Sequence, residues 1–177
     1  EVNALREICE KNQIYALTER SRSGHGAHIW IFFEKAIPAE KARKFGDALL
    51  EKGAEFVNLK TFQSYDRMIP SQNHLPEGGL GNLIALPLQG QALKKGNSAF
   101  IDKNWKPFEN QWKQLGKVQR LLEEFVDNCI KEWVGQEKTS TVEEIPKPWK
   151  KRTMTLTPKD LDGKLQVILA NRIYADI

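Results

Sequence analysis

Cysteine is scarce in this sequence: Cys9 and Cys129 are the two in 177 residues. Each sits in an apolar pattern of helical spacing. Both therefore read as buried free thiols, which excludes a disulfide framework and suits a reducing cytoplasm. Long apolar runs are missing as well. No stretch approaches the roughly 20 residues that a membrane-spanning helix needs, and "EVNALREICEKN" lacks the plan of a signal peptide. There is no internal repeat, no low-complexity segment and no GxxxxGK[ST] phosphate loop. Histidine is limited to three residues, His25, His28 and His74. The net charge of +4 is mild; it permits a nucleic-acid or nucleotide partner without requiring one.

What is present is an ordinary globular composition, 40% hydrophobic and 28% charged, in a chain long enough to bury a core of its own. The chain starts without Met inside a helical pattern and stops on "ANRIYADI" within an apolar one. It reads as an interior piece of a longer protein.

Periodicity assigns the elements. Val2, Leu5, Ile8 and Cys9 share a helical face. "IYALTER" (14–20) and "AHIWIFF" (27–33) are strand-like and flank a Gly-containing loop, which predicts a β-hairpin. "IPAEKARKFGDALLEKGA" predicts a helix with Pro38 in its first turn and Gly53 at its stop. "NLIALPL" (82–88) and "SAFID" are expected as short strands, the first at an edge or bulge because of Pro87. Val118, Leu121, Leu122, Phe125, Val126, Cys129, Ile130 and Trp133 form one stripe, predicting a helix from about Lys117 to Val134. "KLQVILANRIYA" is expected as a late strand. The fold class is α+β. The expected domain plan is a core over 1–134, a linker over 135–163, and the start of a following strand or domain over 164–177.

Two polar clusters carry chemistry. The first is "RSRSGHGAHIW". Gly24 and Gly26 allow close backbone approach, Ser23 offers a hydroxyl, His25 and His28 offer imidazoles, and Arg22 adds fixed charge. Such short donors around glycines suit a triphosphate; a plain hairpin loop with incidental histidines is the alternative. The second is "SYDRMIPSQN". Asp66 among Tyr65, Met68 and Ile69 must be paired or bound to metal, and Arg67 is its nearest partner. Ser71, Gln72 and Asn73 are uncharged hydrogen-bonders that serve a sugar, a phosphate or a turn equally well. Two-metal phosphate chemistry needs more than one carboxylate. No Asp-x-Asp precedes the glycine loop, and "DLD" (160–162) reads as a turn.

Trp105 and Trp112 lie among lysines in "NWKPFENQWKQ", where they either stack on bases or are buried. Trp133 fits the helix stripe as core. Lys147, Lys150, Lys151 and Arg152 surround Trp149 as a solvated linker or a nucleic-acid contact.

These motifs resemble the archaeo-eukaryotic primase superfamily, the primase-polymerases. "SGHGAHIW" is similar to its second motif, and "YDRMIPSQN" with "GNLIALPLQG" to its third. The longer run from Glu19 to Ile101 looks most like the primase domain of TOTE conflict systems, and "LQVILANRIYADI" like the segment leading into their helicase part. The resemblance implies a primase-type core, with an RRM-like antiparallel sheet flanked by helices. It implies a nucleotidyltransferase that joins (d)NTPs on a single-stranded DNA or RNA template with Mg²⁺ or Mn²⁺, working with helicase and nuclease modules. Carried over by position, Asp66 binds metal, and Ser23 and His28 hold the triphosphate with the amides of Gly24 and Gly26. Gln72 and Asn82 are carried over toward the nucleotide or primer end. The first-motif carboxylates are expected upstream of Glu1, which leaves this piece inactive alone. The alternatives are a non-catalytic binding module on the same fold, or a metal-dependent nuclease using Asp66 and His28.

Overall fold

Leu5, Ile8 and Cys9 do line one face of a helix, and that face is buried against a sheet. The architecture comes from a computed structural model, which describes residues 1–57, 62–75, 77–79, 81–134 and 165–171. The order is α1 (Val2–Lys11), β1 (Ala16–Arg20), β2 (Ala27–Phe33), α2 (Ala39–Phe56), β3 (Tyr65–Ile69), α3 (Gly90–Leu93), α4 (Gln111–Gly116), α5 (Glu123–Val134) and β4 (Leu165–Asn171). Four strands form one sheet in the order β1-β2-β4-β3.

The α+β class and the β1–β2 hairpin are as expected, and "AHIWIFF" is β2 residue for residue. The strand senses differ from the antiparallel expectation. Only β1 and β2 run antiparallel; β4 is parallel to both β2 and β3. A strand reached after a long connection can enter a sheet in either sense, and pattern alone does not choose. Residues 165–171, expected to start a following strand or domain, form β4, which with β2 makes the interior of this sheet. The expected linker and the basic run around Trp149 lie outside the described residues.

Alternation along β2 sends Ala27, Ile29, Ile31 and Phe33 to one face, where they pack with α1, α2 and α5. Trp30 and Phe32 point to the other, into a smaller cluster with Leu17, Phe100 and Ile168. That second face is roofed by the segment 84–118 rather than by a long helix. Cys9 and Cys129 are buried free thiols in the larger cluster; burial pushes their pKa up to about 12 and about 11.

Four local expectations change. The helix predicted from Lys117 begins at Glu123, because Leu121 bridges the end of β2 instead: its amide donates to Phe32 O at 2.8 Å and its carbonyl accepts from Glu34 N at 2.9 Å. The stripe is thereby split, with Val118 packing on the second face and Leu121 on the first. α2 runs through Gly53 to Phe56. Gly53 is there for packing, since a Cβ would lie 2.6 Å from Leu5 Cδ2. "NLIALPL" forms no strand, and Leu83 is 92% exposed. "SAFID" forms isolated bridges that extend the β1 edge, with Arg20 N donating to Ala99 O and Ile101 N to Thr18 O.

Candidate functional site

The β1–β2 register sets Glu19 opposite His28, and Glu19 shares its face with the inward-pointing Leu17. The result is a buried carboxylate, 2% exposed, at the mouth of the hairpin. Three donors converge on it. His28 Nδ1 lies 3.0 Å and Trp30 Nε1 2.8 Å from Oε2, and Ser98 Oγ lies 3.2 Å from Oε1. An acceptor-only carboxylate fixes the proton on His28 Nδ1, so Nε2 is the nitrogen left for a ligand. Glu19 and Ser98 were not singled out from the sequence. The available signal was parity: Glu19 is two residues from Leu17, hence on an inward position.

The loop 21–26 joins the two strands. Ser21 N donates to Gly26 O, Gly26 N to Ser21 Oγ, and Gly24 N to Ser21 O, at 2.9, 2.9 and 3.0 Å. The amides of Gly24 and Gly26 are thus turned into the loop, unlike the outward amides expected for a phosphate nest. What the loop presents are side chains: Arg22, Ser23 and His25 are exposed. Gly24 is needed twice over. Its φ is +88°, and a Cβ would come within 2.9 Å of the Asn97 amide.

Across the sheet the register continues as Glu19, His28, Gln166 and Arg67, one residue from each strand. A bulge between Tyr65 and Arg67 leaves Asp66 as the extra residue, and a bulge of this kind re-aims a side chain. Asp66 Oδ2 accepts from Gln166 Nε2 and from Arg67 Nε, both at 2.9 Å. Its side chain is 8% exposed. His28 and Asp66 therefore stand in one row with β4 between them, two strand spacings or ~10 Å apart by backbone.

Gln72 and Asn82 are not in that row. Gln72 follows the end of β3 at Ile69, and Asn82 is tied to Ser71 in the same turn region. Asn82 is occupied there: its Oδ1 accepts from Ser71 N at 2.8 Å and its Nδ2 donates to Ser71 Oγ at 2.7 Å. His74 is exposed in the same loop.

Among the described residues no group of three His, Cys, Asp or Glu side chains could hold a metal ion. Asp66 is already held by a guanidinium and an amide, and one carboxylate does not make a two-metal site unaided. No helix among the described residues is long and apolar enough to cross a membrane.

A four-stranded mixed sheet backed by helices, with a donor loop and a gripped histidine at one strand mouth, makes a mixed α+β domain. The chain belongs to the archaeo-eukaryotic primase domain family of TOTE conflict systems, whose family model matches residues 1–129. No curated protein matches it. The family is one of primase-type domains, which act on nucleotides with a nucleic-acid template and generally use divalent metals.

Proposed function

We propose that this chain supplies the triphosphate-holding part of a template-directed nucleotidyltransferase that joins (d)NTPs. The observation that carries the proposal is the Glu19–His28 pair at the mouth of the hairpin, beside a loop that exposes Arg22, Ser23 and His25. Phosphoryl and nucleotidyl transfer depend on positioned donors more than on an activated side-chain nucleophile. A histidine whose ring is fixed from behind meets that need, and charge-assisted bonds from Arg22 add to it. In this reading Asp66 would be one ligand for a divalent ion, in place of its bonds to Arg67 and Gln166. Joining chemistry then requires further carboxylates. Helicase and nuclease modules are the partners proposed for the whole system.

The test is calorimetric titration with a ribonucleoside triphosphate, with and without Mn²⁺. His28→Ala is expected to weaken binding about tenfold, the loss of one charge-assisted bond, with cooperative unfolding retained at a lower midpoint because buried Glu19 loses one of its donors. Asp66→Asn is expected to weaken it only when metal is present. Unchanged affinity in His28→Ala sinks the reading of the loop, and equal loss in Asp66→Asn with and without metal makes Asp66 structural. A chain that binds nucleic acid but never a triphosphate fits the second reading, a non-catalytic module on the same fold. The committed histidine, held at 3.0 Å by a buried acid, favours the first.

A further inference from the structure

Among the described residues, four non-glycine residues adopt left-handed backbone conformations, and three of them, Leu88, Ser98 and Trp105, lie in the segment that covers Glu19 and the donor loop. Ser98 is explained by its bond to Glu19, and Leu88 by its amide bond to Ser98 O. Trp105 N donates to Asp102 O at 3.1 Å, a backbone bond that any residue there could make and that does not account for an indole. The Trp105 φ is +64°, a conformation that glycine or asparagine adopts cheaply and a bulky side chain does not. Yet the turn around it is built to hold that shape. Asp102 Oδ1 accepts from Asn104 N and Lys106 N, both at 2.8 Å, and Asp102 N donates to Lys106 O at 2.8 Å. The Ile101–Pro107 bridge closes its base. Strain of this kind, kept in place by surrounding bonds, points to a use for the side chain it displays. That side chain is 37% exposed.

The turn is also tied to the candidate site. Arg20, the last residue of β1, donates to Trp105 O and to Gly96 O. Next to Gly96, Asn97 packs on Gly24 and its amide donates to Arg22 O. Trp105 is therefore reached from the donor loop through three residues in contact. The surface along this path is basic. Arg22, Lys94, Lys95 and Lys106 are exposed, and no described acid pairs with any of them. Lys103 differs, being paired with Glu10, and Asp102 is consumed by the turn.

We infer that the Trp105 turn, with the Lys94–Lys95 turn beside it, is a binding platform for single-stranded nucleic acid. One base stacks on the indole, and the neighbouring phosphates lie against the unpaired lysines. Exposed aromatic faces between basic side chains have the chemistry for this, since every base has a stacking face and every linkage a negative charge. The inference deepens the reading above and rests on it for the strand's role as template.

The experiment is fluorescence anisotropy of a labelled oligothymidylate with the full chain, paired with triphosphate titration of the same proteins. Trp105→Gly removes the ring and relaxes the backbone. It is expected to weaken strand binding about 5- to 150-fold, with the thermal midpoint not lowered and triphosphate affinity unchanged. Trp105→Phe is expected to stay within about threefold of wild type, since a stacking face remains. Lys94→Glu with Lys95→Glu is expected to flatten the salt dependence of strand binding by about two phosphate contacts. Equal strand affinity in wild type and Trp105→Gly overturns the inference. So does a wild-type chain that binds triphosphate and no strand, which leaves the nucleotidyltransferase reading intact. Wild type that binds the strand through Trp105 but no triphosphate supports the platform and removes that reading instead.

Discussion

Glu19 shows how much chemistry one buried side chain can organise. Its carboxylate accepts from a histidine, an indole and a hydroxyl, and so orients the His28 imidazole at the start of β2. Glu19→Gln keeps the size but replaces one acceptor oxygen by a donor. Ser98 Oγ can turn to accept from the new amide, but the bonds from His28 and Trp30 then lose the carboxylate charge that strengthens them. The expected cost is about 1–3 kcal/mol, read as a lower urea midpoint at constant m-value. Proton-detected NMR of His28 should show the Nδ1–H form in wild type and a mixture in the variant; an unchanged tautomer would mean that Glu19 does not set it. Asp66 illustrates the opposite situation. The pairing with Arg67 was legible from adjacency in the sequence, and the second partner, Gln166, was not, because it arrives from 100 residues away.

Strands and helices with strong periodicity formed where their pattern placed them. The hairpin, α1 and the body of α2 needed only alternation or a 3.6-residue stripe, together with turn residues. The failures share a cause. Leu121 and the "NLIALPL" segment have local patterns that suit regular structure, but their backbones are committed elsewhere: Leu121 to the end of β2, and Leu88 to Ser98. Glycines in α2 are another case in which contact overrides local preference. Gly46 faces β3 and β4, and a Cβ there would lie 2.6 Å from Met68 Sδ and 3.0 Å from Leu169 Cδ1. Alanine gains ~1 kcal/mol of helix propensity, and overpacking costs ~1–3 kcal/mol. Because Met68 and Leu169 are both buried, the clash is expected to win, and Gly46→Ala should unfold at lower urea. A rise in the midpoint would show that Met68 can swing away at little cost.

The sheet is assembled from distant parts of the chain. β4 enters between β2 and β3, parallel to both, so two of the three strand pairings depend on residues 165–171. Ile168 is fully buried in the second cluster, while Val167 and Leu169 complete the first. A chain ended at Val134 would expose the facing edges of β2 and β3 and both halves of the core beneath them. It is expected to lose the cooperative thermal transition of the full chain, with calorimetry showing a broad, low-enthalpy change. A sharp transition at an unchanged midpoint would instead make β4 an accessory strand. The same strand places Gln166 between His28 and Asp66, so its loss should also release the Asp66 carboxylate from one partner.

Composition, periodicity and turn chemistry were enough for the α+β class, the hairpin and its polar loop, because each element is written in neighbouring residues, and the family resemblance adds up such local motifs from Glu19 to Ile101. Asp66 and His28 could be named for the same reason. Their arrangement could not. The bulge that re-aims Asp66, the interior place of β4 and the burial of Glu19 all rest on pairings between residues far apart in the chain, such as Ala27 with Leu165. Such pairings are chosen by which contacts bury the most apolar surface while leaving no polar group unpaired, and that balance exists only once the chain has closed on itself.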